Sequence, residues 1–262
     1  GIEQRRLAAA DAQRDALQIA RLAIIEHQRL IDNTHQLLKG LTEATAVRQG
    51  GSECSKLFSD LLNQYPVYAN LGVIAADGTV ICSGLPIAGD VELGDRRYFT
   101  EALSSGTLVV GEYQVGRITH KDSINVGLPI SDEGGKVQSV VFAALDLAHL
   151  SDLFPAVQLP ENSTLTLADR NGVILLHYPN PKWVGQSQAA ELLAIATKSS
   201  EGVSEARGKD GVKRLYAFAS SRSGGGVKVY VGIPIDVAYA SANWILERNL
   251  VSLAVVALLA LG

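Results

Sequence analysis

The sequence contains no methionine and only two cysteines among 262 residues. Because an initiator methionine is missing, we expect the chain to be a piece of a longer protein. Cys54 and Cys82 are too few for a disulfide-rich scaffold, and their spacing is not that of metal ligands. The five histidines also lack a paired ligand spacing, so the sequence predicts no metal and no cofactor.

A basic surface and the common catalytic motifs are missing as well. A net charge of −4, without a run of basic residues, disfavours nucleic acid as a partner. The sequence has no Gly-x-Ser-x-Gly, Gly-x-Gly-x-x-Gly or His-Glu-x-x-His motif and no Walker-type loop. The run Gly224-Gly225-Gly226 is typical of a hairpin rather than of a phosphate-binding loop. We therefore expect that this chain is not an enzyme, and a hydrolase without a local motif is the weakest alternative.

The chain does contain enough apolar sequence for one large or two small domains, with 47% hydrophobic and 19% charged residues. Residues 1–39 lack glycine and proline after Gly1 and predict one long helix, which Gly40 is expected to end. An apolar residue recurs at every seventh position of this helix, at Ala10, Leu17, Ile24, Ile31 and Leu38. This stripe can pack on its own domain or on a second copy of the chain, and the sequence leaves both open.

A second helix is predicted from about Glu53 to Gln64, with Leu57, Phe58, Leu61 and Leu62 buried. After residue 64 the apolar residues follow the two-residue period of β-strands instead. The strands predicted beyond it are residues 71–75, 79–82, 108–110, 124–130 and 137–145. Asp77-Gly78 joins the first two as a hairpin. These segments indicate an antiparallel sheet with helices on it.

The same order of elements then repeats. Gly172, in the turn Asp169-Arg170-Asn171-Gly172, lies 94 residues after Gly78. The elements predicted in this half are strands at 164–168, 173–177, 214–219 and 227–233 and a helix at 189–197. Asp146 and Asp236 occupy corresponding places after the last strand of each half. The repeat predicts an α+β fold of two related modules in tandem.

A short helix lies between the second and third predicted strands. Asp95 is its expected N-cap, and Tyr98, Phe99, Ala102 and Leu103 form its apolar face. Arg96 and Arg97 stand at its first turn, where guanidinium groups and a helix N-terminus can hold a carboxylate. Because neighbouring helical residues point about 100° apart, only one of them is expected to face a pocket, and we favour Arg96. The alternative is an amphipathic helix with surface arginines.

The last thirteen residues, Leu250 to Gly262, are apolar and uncharged. A membrane-spanning helix needs roughly 20 residues. We interpret the segment as the start of a transmembrane helix, with Tyr239, Trp244 and Arg248 as interfacial anchors. A buried core helix is the alternative.

Together these segments resemble the double Cache family, the tandem PAS-like sensor domains found outside the membrane in bacterial receptors. The motifs that carry the resemblance are Asp77-Gly78-Thr79-Val80, Gly94-Asp95-Arg96-Arg97-Tyr98-Phe99, Gly127-Leu128-Pro129-Ile130, Asp146-Leu147, Asp169-Arg170-Asn171-Gly172-Val173 and Val231-Gly232-Ile233-Pro234. The resemblance covers nearly the whole chain. It implies a stalk helix and second helix at 1–64, a membrane-distal ligand-binding module at 65–154, a membrane-proximal module at 155–235, and an exit helix into the membrane at 236–262.

The resemblance also implies ligand-binding residues. Arg96 matches the arginine that holds the ligand carboxylate in amino-acid-binding relatives, whose pattern Arg-x-Trp-Tyr reads Arg96-Arg97-Tyr98-Phe99 here. The pair Tyr98-Phe99 is closer to the Arg-Pro-Tyr-Phe of organic-acid sensors. Asp146 matches the aspartate that holds the ligand amino group, although a helix cap is an open alternative. Tyr113 matches a later pocket tyrosine.

Two more candidates follow Tyr113. Arg117 and Lys121 come at four-residue intervals after it, which in an extended strand puts all three on one face. That face is either pocket or solvent. The candidate ligand-binding residues are therefore Arg96, Tyr98, Phe99, Tyr113, Arg117, Lys121 and Asp146.

The predicted function is that of the periplasmic or extracellular sensor domain of a bacterial membrane receptor. The expected ligand is a small carboxylate-bearing metabolite, an organic acid or an amino acid. Binding is expected to shift a cytoplasmic kinase, cyclase or chemoreceptor output domain, with a homodimer formed through the N-terminal helix. A structural dimerisation module with a non-functional pocket is the main alternative. An extracytoplasmic location permits a disulfide between Cys54 and Cys82, but a helix start and a strand end need not meet.

Overall fold

The chain begins with helices and continues into two sheets. In the computed structural model, residues 2–150, 159–221 and 225–239 are described. The first helix is α1 (Ile2–Glu43), followed by α2 (Thr45–Gln49) and α3 (Gly51–Gln64). All strands of both sheets pair antiparallel.

The first sheet has the order β2-β1-β5-β4-β3, so that β3 is an edge strand. Its strands are β1 (Tyr68–Ala75), β2 (Val80–Ser83), β3 (Val109–Val115), β4 (Asp122–Ser131) and β5 (Val137–Asp146). Helix α4 (Arg97–Ser105) packs on one face, and α5 (Leu147–Leu150) continues directly from β5.

The second sheet has the order β7-β6-β10-β9-β8. Its strands are β6 (Thr164–Ala168), β7 (Ile174–Tyr178), β8 (Glu201–Arg207), β9 (Lys213–Ser220) and β10 (Lys228–Pro234). A 3-10 turn (Pro181–Trp183) and α6 (Ala190–Ile195) lie between β7 and β8, and α7 (Ile235–Ala238) follows β10. Counted within each sheet, both orders are 2-1-5-4-3, which confirms the predicted α+β fold with two antiparallel sheets. We call the first sheet with α4 the first module and the second sheet with α6 the second module.

Helix α1 lies against both sheets. It contacts β4 and β5 of the first sheet and β8, β9 and β10 of the second. Ile31 and Leu38 of the predicted stripe are buried, and Leu17 and Ile24 are partly buried in the same core. The stripe therefore packs on its own chain along this part of the helix. Packing on a second copy stays a prediction.

Several predicted boundaries were wrong. Helix α1 passes through Gly40, because Leu41 is buried and the Thr42 hydroxyl donates to the Lys39 carbonyl at 2.8 Å. The short helix α2, which was not predicted, follows it. The N-cap of α4 is Arg96 rather than Asp95, whose carboxylate pairs with Arg117 instead. Strand β8 was not predicted at all, since its sequence is largely polar and half-exposed.

The described residues answer one question that the sequence left open, whereas two other predictions concern residues that are not described or only partly described. Cys54 of α3 and Cys82 of β2 form a disulfide with their Cα atoms 6.0 Å apart, so the two segments do meet. The predicted membrane segment at 250–262, with Trp244 and Arg248, lies outside the described residues, as does the first half of the segment at 155–162 that links the two halves of the repeat. No helix among residues 2–150, 159–221 and 225–239 has both the length and the apolarity of a membrane span.

Candidate functional site

The corner before α4 is built by a buried helix face. Tyr98, Phe99 and Ala102 are each at most 2% exposed and pack with Ile74 and Phe142 of the sheet. Gly106 ends the helix in the left-handed conformation, with φ of 68°. This packing holds the start of α4, and with it Arg96, over strands β3 and β4 of the first sheet.

A small cavity of about 20 Å³ lies between α4, the sheet and the loop of residues 116–121 that joins β3 and β4. It has room for about one water molecule. The residues that line it are Asn70, Leu93, Tyr98, Gln114, Gly116, Arg117, Ile118, Thr119, Asn125, Phe142 and Ala144. The lining combines an aromatic wall with several amide groups, which suits a small polar ligand if the cavity opens.

Two buried donors near this cavity have no well-formed hydrogen bond within the described part of the chain. One is the Tyr98 hydroxyl: burial raises its pKa to about 12, and a weak hydrogen bond from the nearby Asn125 offsets only part of that rise. The other is Nε of Arg96, although Nη2 of the same side chain donates to the Val115 carbonyl at 3.3 Å. Buried donors without partners are rare and unfavourable, because their hydration is lost without replacement. Both are therefore positions where a ligand acceptor can bind.

Arg117 holds the 116–121 loop across the cavity. Its guanidinium donates to both carboxylate oxygens of Asp95 and to the Glu92 carbonyl, each at 2.6 Å. The hydrogen bond from Arg117 lowers the pKa of Asp95. Within the loop, the Gly116 amide donates to the Lys121 carbonyl at 2.9 Å, so the chain reverses here. The prediction that Tyr113, Arg117 and Lys121 share one face of an extended strand was therefore wrong.

Asp146 and Lys121 lie at a different, larger site. They belong to a cleft of about 550 Å³ between the modules, lined by His120, Lys121, Asp122, Asp146, Leu147, Ala148, His149, Leu176, His177, Pro181 and Val184. In the sheet, Ala144 of the small cavity pairs with Asn125, and Asp146 pairs with Ser123. Asp146 is thus about 7 Å further along the same face of β5.

The Asp146 carboxylate is engaged by its own chain. Its side chain is 3% exposed, Oδ1 accepts the Ala148 amide at 3.0 Å, and Oδ2 accepts Lys121 Nζ at 2.7 Å. Burial raises the pKa of this carboxyl, but the hydrogen bonds from Lys121 and Ala148 outweigh burial and bring it below its ordinary value. The helix-cap interpretation of Asp146 is observed, and a lysine stands where a ligand cation would have to bind.

Tyr113 and Phe99 do not line the small cavity. The Tyr113 hydroxyl donates to Asp122 at 2.7 Å, and burial, with that aspartate, raises its pKa to about 12. Its ring lies against Gly185 of the second module, and Phe99 belongs to the core under α4. Of the seven candidates, the structure brings Tyr98 and Arg117 to the cavity, with Arg96 beside it.

Sequence reasoning missed the amide residues of the cavity. Asn70 and Asn125 are 1% and 4% exposed on otherwise apolar strands. Asn70 is already bonded, since its amide donates to Ser83 at 2.9 Å and its oxygen accepts the Leu71 amide. A polar residue in the middle of an apolar strand was the available signal, because such a residue needs a buried partner.

A comparison with protein families identifies one match over nearly the whole chain. The double Cache model dCache_1, described as a Cache domain, matches residues 4–242. No curated protein matches the sequence significantly.

Solved structures of similar fold include ligand-binding domains of bacterial chemoreceptors. The CtaA domain of Pseudomonas fluorescens with L-isoleucine has a TM-score of 0.72 at 17% identity, over 92% of this chain and all (100%) of that one. The PctB domain of Pseudomonas aeruginosa PAO1 with L-Arg has a TM-score of 0.67 at 19% identity, over 85% and 95%. The PctC domain of the same organism with GABA has a TM-score of 0.63 at 20% identity, over 84% and 98%. At these identities the likeness shows the fold alone, and the family match over residues 4–242 establishes that the chain belongs to the Cache domain family.

Proposed function

We propose that this chain is the extracytoplasmic sensor domain of a bacterial membrane receptor and that it binds a small carboxylate-bearing metabolite in the first module. The observation that carries the proposal is a pair of buried donors without a well-formed hydrogen bond, Arg96 Nε and the Tyr98 hydroxyl, at a small cavity. A carboxylate supplies acceptors for both groups. The L-isoleucine, L-Arg and GABA of the similar chemoreceptor domains all carry a carboxylate, which supports this ligand class.

Binding requires the cavity to grow, because about 20 Å³ is too small for any such metabolite. The 116–121 loop is the element that must move, and the Arg117–Asp95 ion pair holds it in place. Both side chains of this pair are well exposed, at 41% and 63%, so its net contribution is small and opening is accessible. In the bound state Arg96 holds the carboxylate, Tyr98 donates a further hydrogen bond, and the loop closes over the ligand.

An acid without an amine fits this site better than an α-amino acid. Asp146, which the family resemblance assigns to the ligand amine, already accepts Lys121 Nζ at 2.7 Å. A ligand ammonium would have to displace that lysine, whereas an organic acid would not. An amino acid remains the other candidate, supported by the ligands of the similar chemoreceptor domains.

The remaining parts of the proposal concern the whole receptor. The module of residues 65–154 is membrane-distal and that of residues 155–235 is membrane-proximal, with residues 236–262 leading into the membrane. A homodimer forms through α1, and the output domain is a histidine kinase, a diguanylate cyclase or a chemoreceptor module. These assignments follow from the resemblance and from the apolar segment at 250–262.

A thermal-shift screen of organic acids and amino acids tests the ligand class. For a ligand found this way, Arg96→Ala should weaken binding by roughly 2 to 5 kcal/mol, since a charge would lose its partner. Arg97→Ala is the matched control, because Arg97 does not line the cavity and pairs with Glu101 at 2.6 Å and with Glu112 at 3.4 Å. Calorimetry should show a dissociation constant within a few-fold of wild type for this control.

The same calorimetry separates the two ligand classes. Asp146→Asn should leave the binding of an organic acid unchanged or tighten it, and should weaken the binding of an amino acid about as much as Arg96→Ala does. An Arg96→Ala protein that binds like wild type would remove this corner as the site. A chain that no metabolite stabilises would favour the structural dimerisation module, for which the small size of the cavity is the supporting observation.

A further inference from the structure

A turn of the second module is docked on the edge strand of the first. Asp169 Oδ2 accepts the Tyr113 amide at 3.0 Å, and Arg170 Nη2 donates to the Val110 carbonyl at 2.9 Å. Both backbone groups belong to β3, whose register with β4 shifts between Val110 and Tyr113. The edge strand thus has an irregularity where the second module binds, and an edge strand offers backbone groups for such pairing.

The docking residues are also held by their own module. Asp169 Oδ1 accepts the amides of Asn171 and Val173, each at 2.9 Å, while Arg170 Nε donates to the Gly225 carbonyl at 3.1 Å. One carboxylate and one guanidinium therefore each join the turn to both modules. If β3 moves, the turn must move with it unless these hydrogen bonds break.

The turn is also linked to α4 through a single carboxylate. Glu112 Oε2 accepts Asn171 Nδ2 at 2.7 Å and Arg97 Nη1 at 3.4 Å. Arg97 follows Arg96, the proposed carboxylate-binding residue. Three side chains thus connect the ligand corner to the second sheet.

The corresponding hairpin of the first module shows which residues the turn itself needs. In that hairpin the Ala75 amide donates to the Thr79 carbonyl at 2.8 Å, and in the second the Asp169 amide donates to Val173 at 2.9 Å. The two turns thus have the same length and hydrogen bonding, with Ala75 and Ala76 in place of Asp169 and Arg170. The backbone reversal therefore does not require the charged pair, although Asp169 Oδ1 also bonds two amides of its own turn. The contacts with β3 are what the charged pair adds beyond the turn.

We propose that the Asp169–Asn171 turn is the contact that couples the first-module pocket to the second sheet. Its function in signalling rests on the proposed ligand site, since Gln114 and Gly116 at the end of β3 line the cavity. The coupling itself is independent of any ligand. A failure to find a ligand would therefore not affect the test below.

Hydrogen exchange measured by mass spectrometry on the whole chain tests the coupling. The double variant Asp169→Ala/Arg170→Ala places at these two positions the alanines of the first hairpin and should fold, as far-ultraviolet circular dichroism would verify. We expect amides of residues 110–116 to exchange about tenfold faster, which corresponds to the loss of a net hydrogen bond. Asp77→Ala is the matched control, because Asp77 bonds Thr79 within its own hairpin and should leave β3 unchanged.

A second measurement separates coupling from a merely local contact. Arg97→Ala in α4 should speed exchange at residues 169–173 about threefold or more in the wild-type background, and should add nothing in the double variant. Unchanged protection of residues 110–116 in the double variant would overturn the proposal. An Arg97→Ala effect that stops within the first module, or that is the same in both backgrounds, would overturn it as well.

Discussion

The two modules have the same strand order, but the sheet face that lines a cavity in the first module is filled by a side chain in the second. In the first, Ala144 pairs with Asn125, and both line the cavity beside α4. In the second, the corresponding pair is Gly232 and Tyr216. A Cβ on Gly232 would lie 2.5 Å from the Tyr216 ring, which therefore fills this part of the face. One scaffold thus leaves room for a ligand or packs a solid core, depending on which side chains the central strands carry.

A second corresponding pair extends the comparison. Phe142 pairs with Gly72, and Tyr230 pairs with Thr166, which lies 94 residues after Gly72. Both aromatic rings are buried, but the Tyr230 hydroxyl has no partner among the described residues, and burial raises its pKa to about 12. At this position the second module therefore has a tyrosine where the first has a phenylalanine, and the additional hydroxyl is unsatisfied.

Exchanging the residue types of Tyr216 and Asn125, which occupy corresponding positions, should change the free energy of unfolding most. Tyr216→Asn removes a ring that is 2% exposed and leaves a cavity, so we expect a loss of about 3 to 5 kcal/mol in the free energy of unfolding. Urea denaturation followed by circular dichroism measures it. The reciprocal Asn125→Tyr should fill the first-module cavity and abolish ligand binding. A Tyr216→Asn protein as stable as wild type would show that the ring is not what fills this face.

Removing the disulfide should have the next largest effect on stability, and the loss should be confined to the first module. Cys54 and Cys82 are separated by 28 residues, and closing a loop of this length restricts the unfolded chain by about 3 to 4 kcal/mol. Cys54→Ala/Cys82→Ala should lower stability by that amount. Hydrogen exchange should place the loss in β1 and β2. Equal loosening of β6 and β7 would mean that the modules do not unfold separately.

Tyr230→Phe places in the second module the residue type that the first module has at the corresponding position, Phe142. Because it removes a buried hydroxyl without a partner, we expect stability to rise by about 1 kcal/mol. Phe142→Tyr should lower stability by a similar amount, since it buries an additional hydroxyl. Differential scanning calorimetry of both variants measures the two shifts. A destabilised Tyr230→Phe protein would mean that this hydroxyl has a partner after all.

The smallest expected effect concerns pH and the two aspartates that follow the last strands. The pKa of Asp146 is lowered in the folded state, so its contribution is present above the ordinary aspartate pKa of about 3.9 and is lost as pH falls further. The stability difference between wild type and Asp146→Asn should therefore be constant at neutral pH and shrink below about pH 4. Thermal unfolding at pH 7, 4 and 3 measures it. Asp236→Asn, at an exposed position in α7, should change stability less at pH 7, and a pH-independent difference for Asp146→Asn would contradict the prediction.

The sequence was a good guide to the fold where periodicity was strong. The strand predicted at 164–168 has the observed bounds, and the repeat offset of 94 residues holds through the matching hairpins. It was a poor guide where tertiary contacts override local signals. Gly40 does not end α1 because buried residues continue the helix beyond it, and the polar strand β8 is ordered by pairing with β9.

The candidate site was harder to predict than the fold. Arg96 and Tyr98 were identifiable because charge and aromatic residues adjoin at one corner. Arg117 and Lys121 were grouped with them by their spacing after Tyr113 and Asp146 by resemblance, but the chain reversal at residues 116–121 places Lys121 at the cleft between the modules. Side-chain direction in a loop depends on long-range contacts such as Arg117–Asp95, which no local pattern encodes.

The position of α1 has a consequence for the order of folding. Its 42 residues extend about 60 Å and pack on strands of both sheets, including β9 and β10 near the end of the described chain. Arg21 of this helix pairs with Glu201, which is 180 residues away. During synthesis the helix is made first, yet part of its apolar side stays uncovered until the last strands emerge. Folding of the native helix surface is therefore expected to complete only after β9 and β10 have been made, with a slow phase set by these distant contacts.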